Sequence, residues 1–225
     1  MKDNKKVIVA LDFDNIRQTY EFIDTIDPML CRLKIGKEIF TKYGPDCIHQ
    51  IHQKGFEIFL DLKFHDIPTT VYKACLSAFS LDIWMLNVHL SGGEAMVTSA
   101  MRAKHDSQSN CKLIGVTALT SLSDNDCENV FGCSRDNQID RLKTIGLSAD
   151  IDGFVCAPND IKSLSCDNKL YITPGIRLEK NTDDHHKVFT PQEAFNLGAS
   201  YLVVGRSITA STHPNNTLTE ILKEL

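Results

Sequence analysis

The 225-residue sequence lacks several features that would place it in a specialised class of protein. No apolar run approaches the roughly 18 residues that a membrane-spanning helix needs, and residues 1–6 are polar rather than signal-like. An excess of positive charge is also missing. The formal net charge is −5, which argues against a nucleic-acid-binding surface. We therefore expect a soluble, cytoplasmic protein that binds neither membranes nor nucleic acid.

The eight cysteines include no C-x-x-C pair. They occur singly inside apolar stretches, as Cys31, Cys75 and Cys156 do, and this favours buried reduced thiols over a disulfide framework. No spacing of His, Cys or carboxylate residues matches a structural zinc site. Carboxylates such as Asp12 and Asp61 could attract a divalent metal, but Lys34 and Lys63 lie beside them in the predicted fold and would compete with the metal. The sequence therefore predicts no metal.

Apolar runs typical of buried strands alternate with segments of helical periodicity along the whole chain. The predicted strands are residues 7–12, 31–36, 58–62, 83–89, 112–119, 152–157, 170–173 and 201–204. A polar loop containing Gly132 is predicted after Ser121, and a capping box with a first-turn proline predicts a helix at Thr190-Pro191-Gln192-Glu193. Alternating units of this kind form parallel sheets with right-handed crossovers. Because no linker divides the chain, we predict a single-domain (β/α)₈ barrel over residues 1–225.

The third predicted strand runs into charged residues. Side chains alternate across a strand, so Asp61 and Lys63 are expected on one face. Two opposite charges ending an apolar strand are costly unless they are paired or used. Asp66 follows, and then Pro68, a favourable residue for the first turn of a helix. The pattern predicts a strand, a charged turn and a helix.

Charged and polar residues recur at the ends of the other predicted strands, where a (β/α)₈ barrel carries its active site. The full set is Asp12, Lys34, Asp61, Lys63, His89, Thr120, Arg177 and Arg206. Any one of these side chains alone could simply solvate the end of a strand. Together, the alternating carboxylates and ammonium groups of the first three strands would hold one another ionised and in place.

The last predicted strand ends in Gly205-Arg206-Ser207. Phosphate sites recur after strands seven and eight of such barrels, where a glycine admits the anion close to backbone N–H groups and an arginine binds it in a bidentate manner. Arg177, after the seventh strand, could reach the same anion. Gly205 could alternatively be an ordinary turn residue. Its position after the eighth strand favours a phosphate site.

The motifs resemble those of the orotidine 5′-phosphate decarboxylase family in its bacterial form. The most specific match is Asp61-Leu62-Lys63-Phe64-His65-Asp66-Ile67-Pro68-Thr69-Thr70. Its D-x-K-x-x-D core also occurs in sister enzymes that act on sugar phosphates, but the Ile-Pro-x-Thr extension is more specific. Further blocks extend the likeness over nearly the whole chain: Ala10-Leu11-Asp12, Leu33-Lys34-Ile35-Gly36, Val88-His89 with Gly92-Gly93, Thr173-Pro174-Gly175-Ile176-Arg177 and Val204-Gly205-Arg206-Ser207.

This resemblance implies a (β/α)₈ homodimer with a shared active site that converts orotidine 5′-monophosphate to UMP and CO₂ without a cofactor. It implies that Lys63 donates a proton to C6 of the pyrimidine, that Asp61 lies against the substrate carboxylate, and that Lys34 and Asp66 complete the charged array. Asp66 would come from the partner subunit. The substrate-binding residues that it implies are Asp12, Lys34, Asp61, Thr70, Thr120, Pro174, Arg177, His185, Gly205 and Arg206.

Three positions depart from the family pattern. His185 stands where a glutamine usually contacts the phosphate and base, Lys187 stands where arginine is common, and Leu90 replaces a smaller residue. Two other functions stay open on the sequence. A sister decarboxylase or aldolase would act on a sugar phosphate with Mg²⁺. A catalytically silent nucleotide-binding protein would need a broken charge array, whereas Asp61, Lys63 and Asp66 are all present.

Overall fold

The computed structural model describes residues 4–178 and 188–225. Eight parallel strands follow one another in chain order in a closed barrel, which confirms the predicted fold class. The strands are β1 (Val7–Leu11), β2 (Cys31–Gly36), β3 (Ile58–Phe64), β4 (Met85–His89), β5 (Lys112–Val116), β6 (Gly153–Val155), β7 (Leu170–Ile176) and β8 (Tyr201–Val204).

Helices follow the strands along the described parts of the chain. They are α1 (Ile16–Ile23), α2 (Lys37–Tyr43), α3 (Asp46–Gln53), α4 (Pro68–Phe79), α5 (Glu94–Asp106), α6 (Asp124–Phe131), α7 (Arg135–Ser148), α8 (Ile161–Leu164), α9 (Pro191–Asn196), α10 (Arg206–Thr209) and α11 (Pro214–Lys223). Short 3₁₀ turns precede α5 and α8. None of the helices within residues 4–178 and 188–225 has the length and apolar character needed to cross a membrane.

The chain forms two compact units, and the first contains the chain up to Asp61 and again from Thr173. In this unit β1 pairs with β2 and β8, and β2 pairs with β3. All five residues of β1 are buried, and so are the first five of β2. Burial of such apolar strands removes their side chains from water and is the main stabilising contribution of this unit. The prediction of a single domain stays a prediction.

The second unit is Leu62–Ile172. Here β4 pairs with β5, β5 with β6, and β6 with β7. Gly153 is required at the start of β6, because a Cβ atom there would lie 2.1 Å from the carbonyl oxygen of Leu170. A side chain at this position would therefore push β6 and β7 apart.

The ends of several strands lie up to three residues from the predicted position; β5, for example, ends at Val116 and not at residue 119. Two further differences bear on the loops and on the site. The predicted polar loop contains α6, which begins at a capping box between Ser123 and Asp126 and ends at Gly132, whose φ is +67°. The acidic and amide residues that made this stretch look like a loop are those that stabilise the first turn of the helix. In addition, β7 continues beyond Thr173 to Ile176 and includes Pro174.

The eight cysteines are free thiols, and seven of them are buried, as the sequence predicts. Burial raises the pKa of the Cys47 thiol to about 11 and that of Cys75 to about 12, because an apolar environment disfavours the thiolate. At neutral pH these residues therefore pack as small apolar side chains and not as nucleophiles.

Candidate active site

In the first unit, Lys34 lies between two carboxylates. Its Nζ is 3.3 Å from Oδ1 of Asp12 and 3.4 Å from Oδ2 of Asp61. The strand register explains the arrangement: Lys34 pairs with Ala10 near the end of β1, and Gly36 pairs with Asp61 in β3. Three neighbouring strands therefore deliver the three charges to one place, as the sequence predicts.

Burial strengthens the ion pair between Lys34 and Asp61 more than the pair between Lys34 and Asp12. The side chains of Lys34 and Asp61 are each 11% exposed, whereas that of Asp12 is 68% exposed. At an effective dielectric constant of about 20, charges at this separation attract one another by about 5 kcal/mol. An attraction of this size offsets much of the cost of removing Lys34 and Asp61 from water. The exposed Asp12 completes a fixed array that still has an oxygen accessible from outside.

A cavity of about 460 Å³ adjoins this array within the first unit. It is lined by Asp12, Gly175, Ile176, Arg177, Val203, Gly205, Arg206 and Ser207. Two guanidinium groups on one cavity make it suited to an anion such as phosphate. Its size falls in the range of small-molecule sites. The structure thus brings together four predicted residues, Asp12, Arg177, Gly205 and Arg206.

Packing alone does not explain the glycine at position 205. A Cβ atom there would meet the Cβ of Ala10 at 3.8 Å, which is an ordinary contact. The absence of a side chain instead leaves backbone exposed where Gly205 lines the cavity. Pro174, another predicted binding residue, is half-buried in β7, directly before the cavity residue Gly175.

In the second unit, Lys63 has an unusual backbone conformation. It is the penultimate residue of β3, it is half-buried, and its φ is +51°. A residue other than glycine in this left-handed region costs about 1–2 kcal/mol. The regular alternation of a strand therefore does not extend to Lys63. Strand alternation thus does not justify the prediction that Lys63 shares a face with Asp61.

The backbone N–H of Lys63 donates a hydrogen bond of 2.8 Å to Oδ1 of Asn87. Asn87 lies in the middle of β4 and is completely buried. Sequence reasoning missed this residue. The available signal was a single amide side chain inside the otherwise apolar run Met85-Leu86-Asn87-Val88.

The segment after β3 exposes several predicted residues. Asp66 and Thr70 are exposed, and Ile67 between them is 64% exposed. Oδ1 of Asp66 accepts a 2.6 Å hydrogen bond from the N–H of Ile67, which precedes α4, and the N–H of Thr70 donates to the carbonyl of Ile67. Asp66 and Thr70 are therefore held at the start of a helix with their side chains open to solvent.

Three further residues complete the predicted set. Thr120 is exposed in a turn beyond β5. His89 ends β4, and its ring centroid is 5.3 Å from that of His65. His185, and with it Lys187, lies outside the described residues. Among residues 4–178 and 188–225, no group of three or more His, Cys, Asp or Glu side chains is arranged to hold a metal ion.

Comparison with known proteins covers the whole chain. Residues 5–221 match the model of the orotidine 5′-phosphate decarboxylase / HUMPS family. The chain is 43% identical to orotidine 5′-phosphate decarboxylase from Saccharophagus degradans, over 98% of this chain and 94% of that protein. It is 42% identical to the enzyme of the same name from Hahella chejuensis, over 100% of this chain and 99% of that one.

Comparison of the fold with solved structures finds a protein of the same name. The crystal structure of orotidine 5′-phosphate decarboxylase from Lactobacillus acidophilus superposes with a TM-score of 0.87 at 36% identity, over 98% of both chains. Agreement in fold, in full-length sequence and in the family model leaves one assignment: this chain belongs to the orotidine 5′-phosphate decarboxylase / HUMPS family.

Proposed function

We propose that this protein decarboxylates orotidine 5′-monophosphate to UMP and CO₂, the last step of de novo pyrimidine synthesis, without a cofactor. The observation that carries the proposal is the position of Asp12, which both contacts Lys34 and lines the cavity with Arg177 and Arg206. A charged array and an anion site therefore share one residue. A nucleotide with a phosphate at one end and a reacting carboxylate at the other fits that arrangement.

The proposed binding mode assigns each end of the nucleotide. Arg177, Arg206 and the backbone at Gly205 hold the phosphate, because they line one cavity. Asp12 and Lys34 hold the ribose hydroxyl groups, since Asp12 has an exposed carboxylate and Lys34 is fixed beside it. Thr120, Pro174, Thr70 and His185 complete the proposed contacts. Binding energy from the phosphate, far from the reacting carbon, is available to the chemical step.

In the proposed reaction, the bond between C6 and the carboxylate breaks and CO₂ leaves. The electron pair stays on C6 as a vinyl-type carbanion that the ring does not delocalise well. The ammonium group of Lys63 stabilises this developing charge and then transfers its proton to C6, which gives UMP and a neutral amine. Solvent returns a proton to Lys63 before the next turnover.

The remaining charges are proposed to prepare the site for this step. Asp61 lies against the substrate carboxylate, and Lys34 fixes Asp61 through the 3.4 Å ion pair. Because Lys34 and Asp61 are paired and nearly buried, little reorganisation of these two groups is needed as the charge moves to C6. Lys63 follows Asp61 by two residues in β3, so one strand supplies both groups.

The proposed function is tested by following the loss of orotidylate absorbance in the presence of EDTA. We expect the wild-type protein to turn over, Lys63→Ala to lose activity by several orders of magnitude, and Lys162→Ala to keep it. Lys162 is an exposed lysine in α8 and serves as the matched control. No turnover by folded wild-type protein would refute the assignment. Turnover only with Mg²⁺ would favour a sugar-phosphate relative.

We further propose a homodimer in which Asp66 and Thr70 enter the partner's active site. The exposure of Asp66, Ile67 and Thr70 supports this, because a 64% exposed isoleucine beside two exposed polar residues is suited to burial in an interface. Mixing inactive Lys63→Ala and Asp66→Ala proteins should then restore part of the activity. Absence of recovery in a verified heterodimer would exclude a shared site.

Eight free thiols also support a reducing compartment, and we propose that the protein works in the cytoplasm. Fractionation of the source cells tests this, since recovery with an extracytoplasmic fraction would contradict it.

A further inference from the structure

Asn87 combines complete burial with a contact to the proposed proton donor. It lies between the buried residues Leu86 and Val88 in β4, and its own side chain is 0% exposed. Its Oδ1 accepts the 2.8 Å hydrogen bond from the N–H of Lys63. Burying an amide side chain costs free energy of folding unless its polar atoms form hydrogen bonds. Here the Oδ1 atom of Asn87 is used to accept a hydrogen bond from the backbone of Lys63 on β3.

The donor of this bond is a residue with a strained backbone. Lys63 has a φ of +51°, a conformation that lysine adopts only when its surroundings fix it. The side chain of Asn87, on the neighbouring strand in chain order, supplies an acceptor for the N–H of this residue.

We propose that Asn87 is a positioning residue for Lys63. Its side-chain oxygen holds the Lys63 N–H and thereby fixes the left-handed backbone from which the lysine side chain departs. The proposal rests on the proposed function of Lys63 as proton donor. Displacement of a reacting group by about 1 Å can lower the rate by about a hundredfold, so this backbone bond acts on catalysis without contact between Asn87 and the reacting atoms.

The chemistry of the amide suits this role. A neutral acceptor satisfies the Lys63 N–H without adding a charge beside the backbone of Lys63. A leucine at position 87 has a similar shape but offers no acceptor. The N–H of Lys63 would then lose this partner, and the backbone would relax towards the β region. An aspartate keeps the acceptor oxygen in place and adds a charge.

The test compares Asn87→Leu with Asn87→Asp. We expect Asn87→Leu to lower kcat about a hundredfold while KM changes by less than threefold, because substrate binding does not depend on the position of the lysine. Asn87→Asp should recover at least a tenth of the wild-type kcat. Gln138→Leu is the matched control. It removes another buried amide, Gln138 on α7, whose Oε1 accepts from the Cys133 thiol, and it should leave kcat unchanged.

Hydrogen exchange at the Lys63 amide, followed by NMR on protein labelled with ¹⁵N-lysine, reads the bond without turnover. The amide should be protected in wild type and in Asn87→Asp and lose at least tenfold in protection in Asn87→Leu. If Asn87→Leu fails to fold, hydrogen exchange of the wild-type protein alone still tests the positioning role. An unprotected Lys63 amide in wild type overturns the proposal.

The outcomes separate the two hypotheses. A wild-type kcat in Asn87→Leu, or a Lys63 amide that stays fully protected in that variant, overturns the positioning role. An inactive wild-type protein with a protected Lys63 amide refutes the proposed function and leaves the hydrogen bond established.

Discussion

Arg32 and Lys34 lie two residues apart on β2, and both are nearly buried, yet they contact different surroundings. Nη1 of Arg32 donates to the carbonyl of Lys5 at 2.7 Å, its Nε is 3.2 Å from Glu57, and its guanidinium lies 5.4 Å from the centroid of the Tyr201 ring. Lys34 instead lies between two carboxylates, of which Asp12 is 68% exposed and lines a cavity.

The difference shows how one strand serves two purposes. Around Arg32, backbone, carboxylate and aromatic ring bind one cation on several sides, which is an arrangement that stabilises the start of the strand. Around Lys34, one cation serves two acids, and one of those acids faces the cavity. Charges near the beginning of a barrel strand therefore contribute to stability, and charges near its end remain available to a ligand.

The largest expected effect comes from Lys34→Met. We expect activity on orotidylate to fall at least a thousandfold and the free energy of unfolding to fall by about 3 kcal/mol, because the buried carboxylate of Asp61 loses its cation. Adding Asp61→Asn should recover most of the stability and none of the activity. Urea unfolding and steady-state turnover measure the two quantities. More than a tenth of the wild-type activity in Lys34→Met would show that the charge near the end of β2 is not required for turnover.

Arg32→Met is expected to show the opposite pattern. It should lower the free energy of unfolding by about 1–3 kcal/mol, because packing against Tyr201 and the ion pair to Glu57 are lost. Since the side chain of Glu57 is 39% exposed, water can solvate the remaining carboxylate. Turnover per folded molecule should equal that of wild type. A selective loss of kcat in the stable fraction would show that the start of β2 also acts on catalysis.

A smaller, pH-dependent effect is expected at Cys31, which precedes Arg32. Burial raises the pKa of the Cys31 thiol from 9.0 to about 12, against a lowering by nearby Lys5. The folded protein keeps this proton at a pH where the unfolded chain has lost it. The contribution to stability is therefore fully present below about pH 9 and is lost as the pH rises towards 12.

The corresponding measurement compares wild type with Cys31→Val by urea unfolding at pH 7, 8, 9 and 10. Between pH 9 and 10, wild type should lose about 1 kcal/mol more than the variant, because the unfolded thiol is already half ionised at pH 9. The difference between the two proteins should be flat below pH 8, which serves as the internal control. Equal slopes above pH 9 would show that the buried face of β2 admits water.

Much of the fold follows from local sequence. Alternating apolar strands and helical segments predict the barrel, and opposite charges near the ends of adjacent strands predict the meeting of Asp12, Lys34 and Asp61. The helix at Asp124–Phe131 escaped prediction, because acidic and amide residues are typical both of loops and of a capped first turn. Local preference does not distinguish the two.

The part of the site that the sequence did not predict depends on contacts between residues that are distant in the chain. The left-handed backbone of Lys63 cannot be read from its neighbours, because lysine has no preference for that conformation. The N–H of this residue donates to Asn87, more than twenty residues later in the chain. A lone polar residue in an apolar strand indicates that a partner exists without indicating where that partner is.

The positive φ of Lys63 also makes alanine an imperfect reference at this position. Lys63→Ala removes the amine but keeps the steric conflict between Cβ and the backbone, whereas Lys63→Gly removes both. We expect the glycine variant to be more stable than the alanine variant by about 1 kcal/mol in urea unfolding, reversing the usual order of the two residues in a strand. Lysine at this position therefore gives up conformational freedom that glycine would restore.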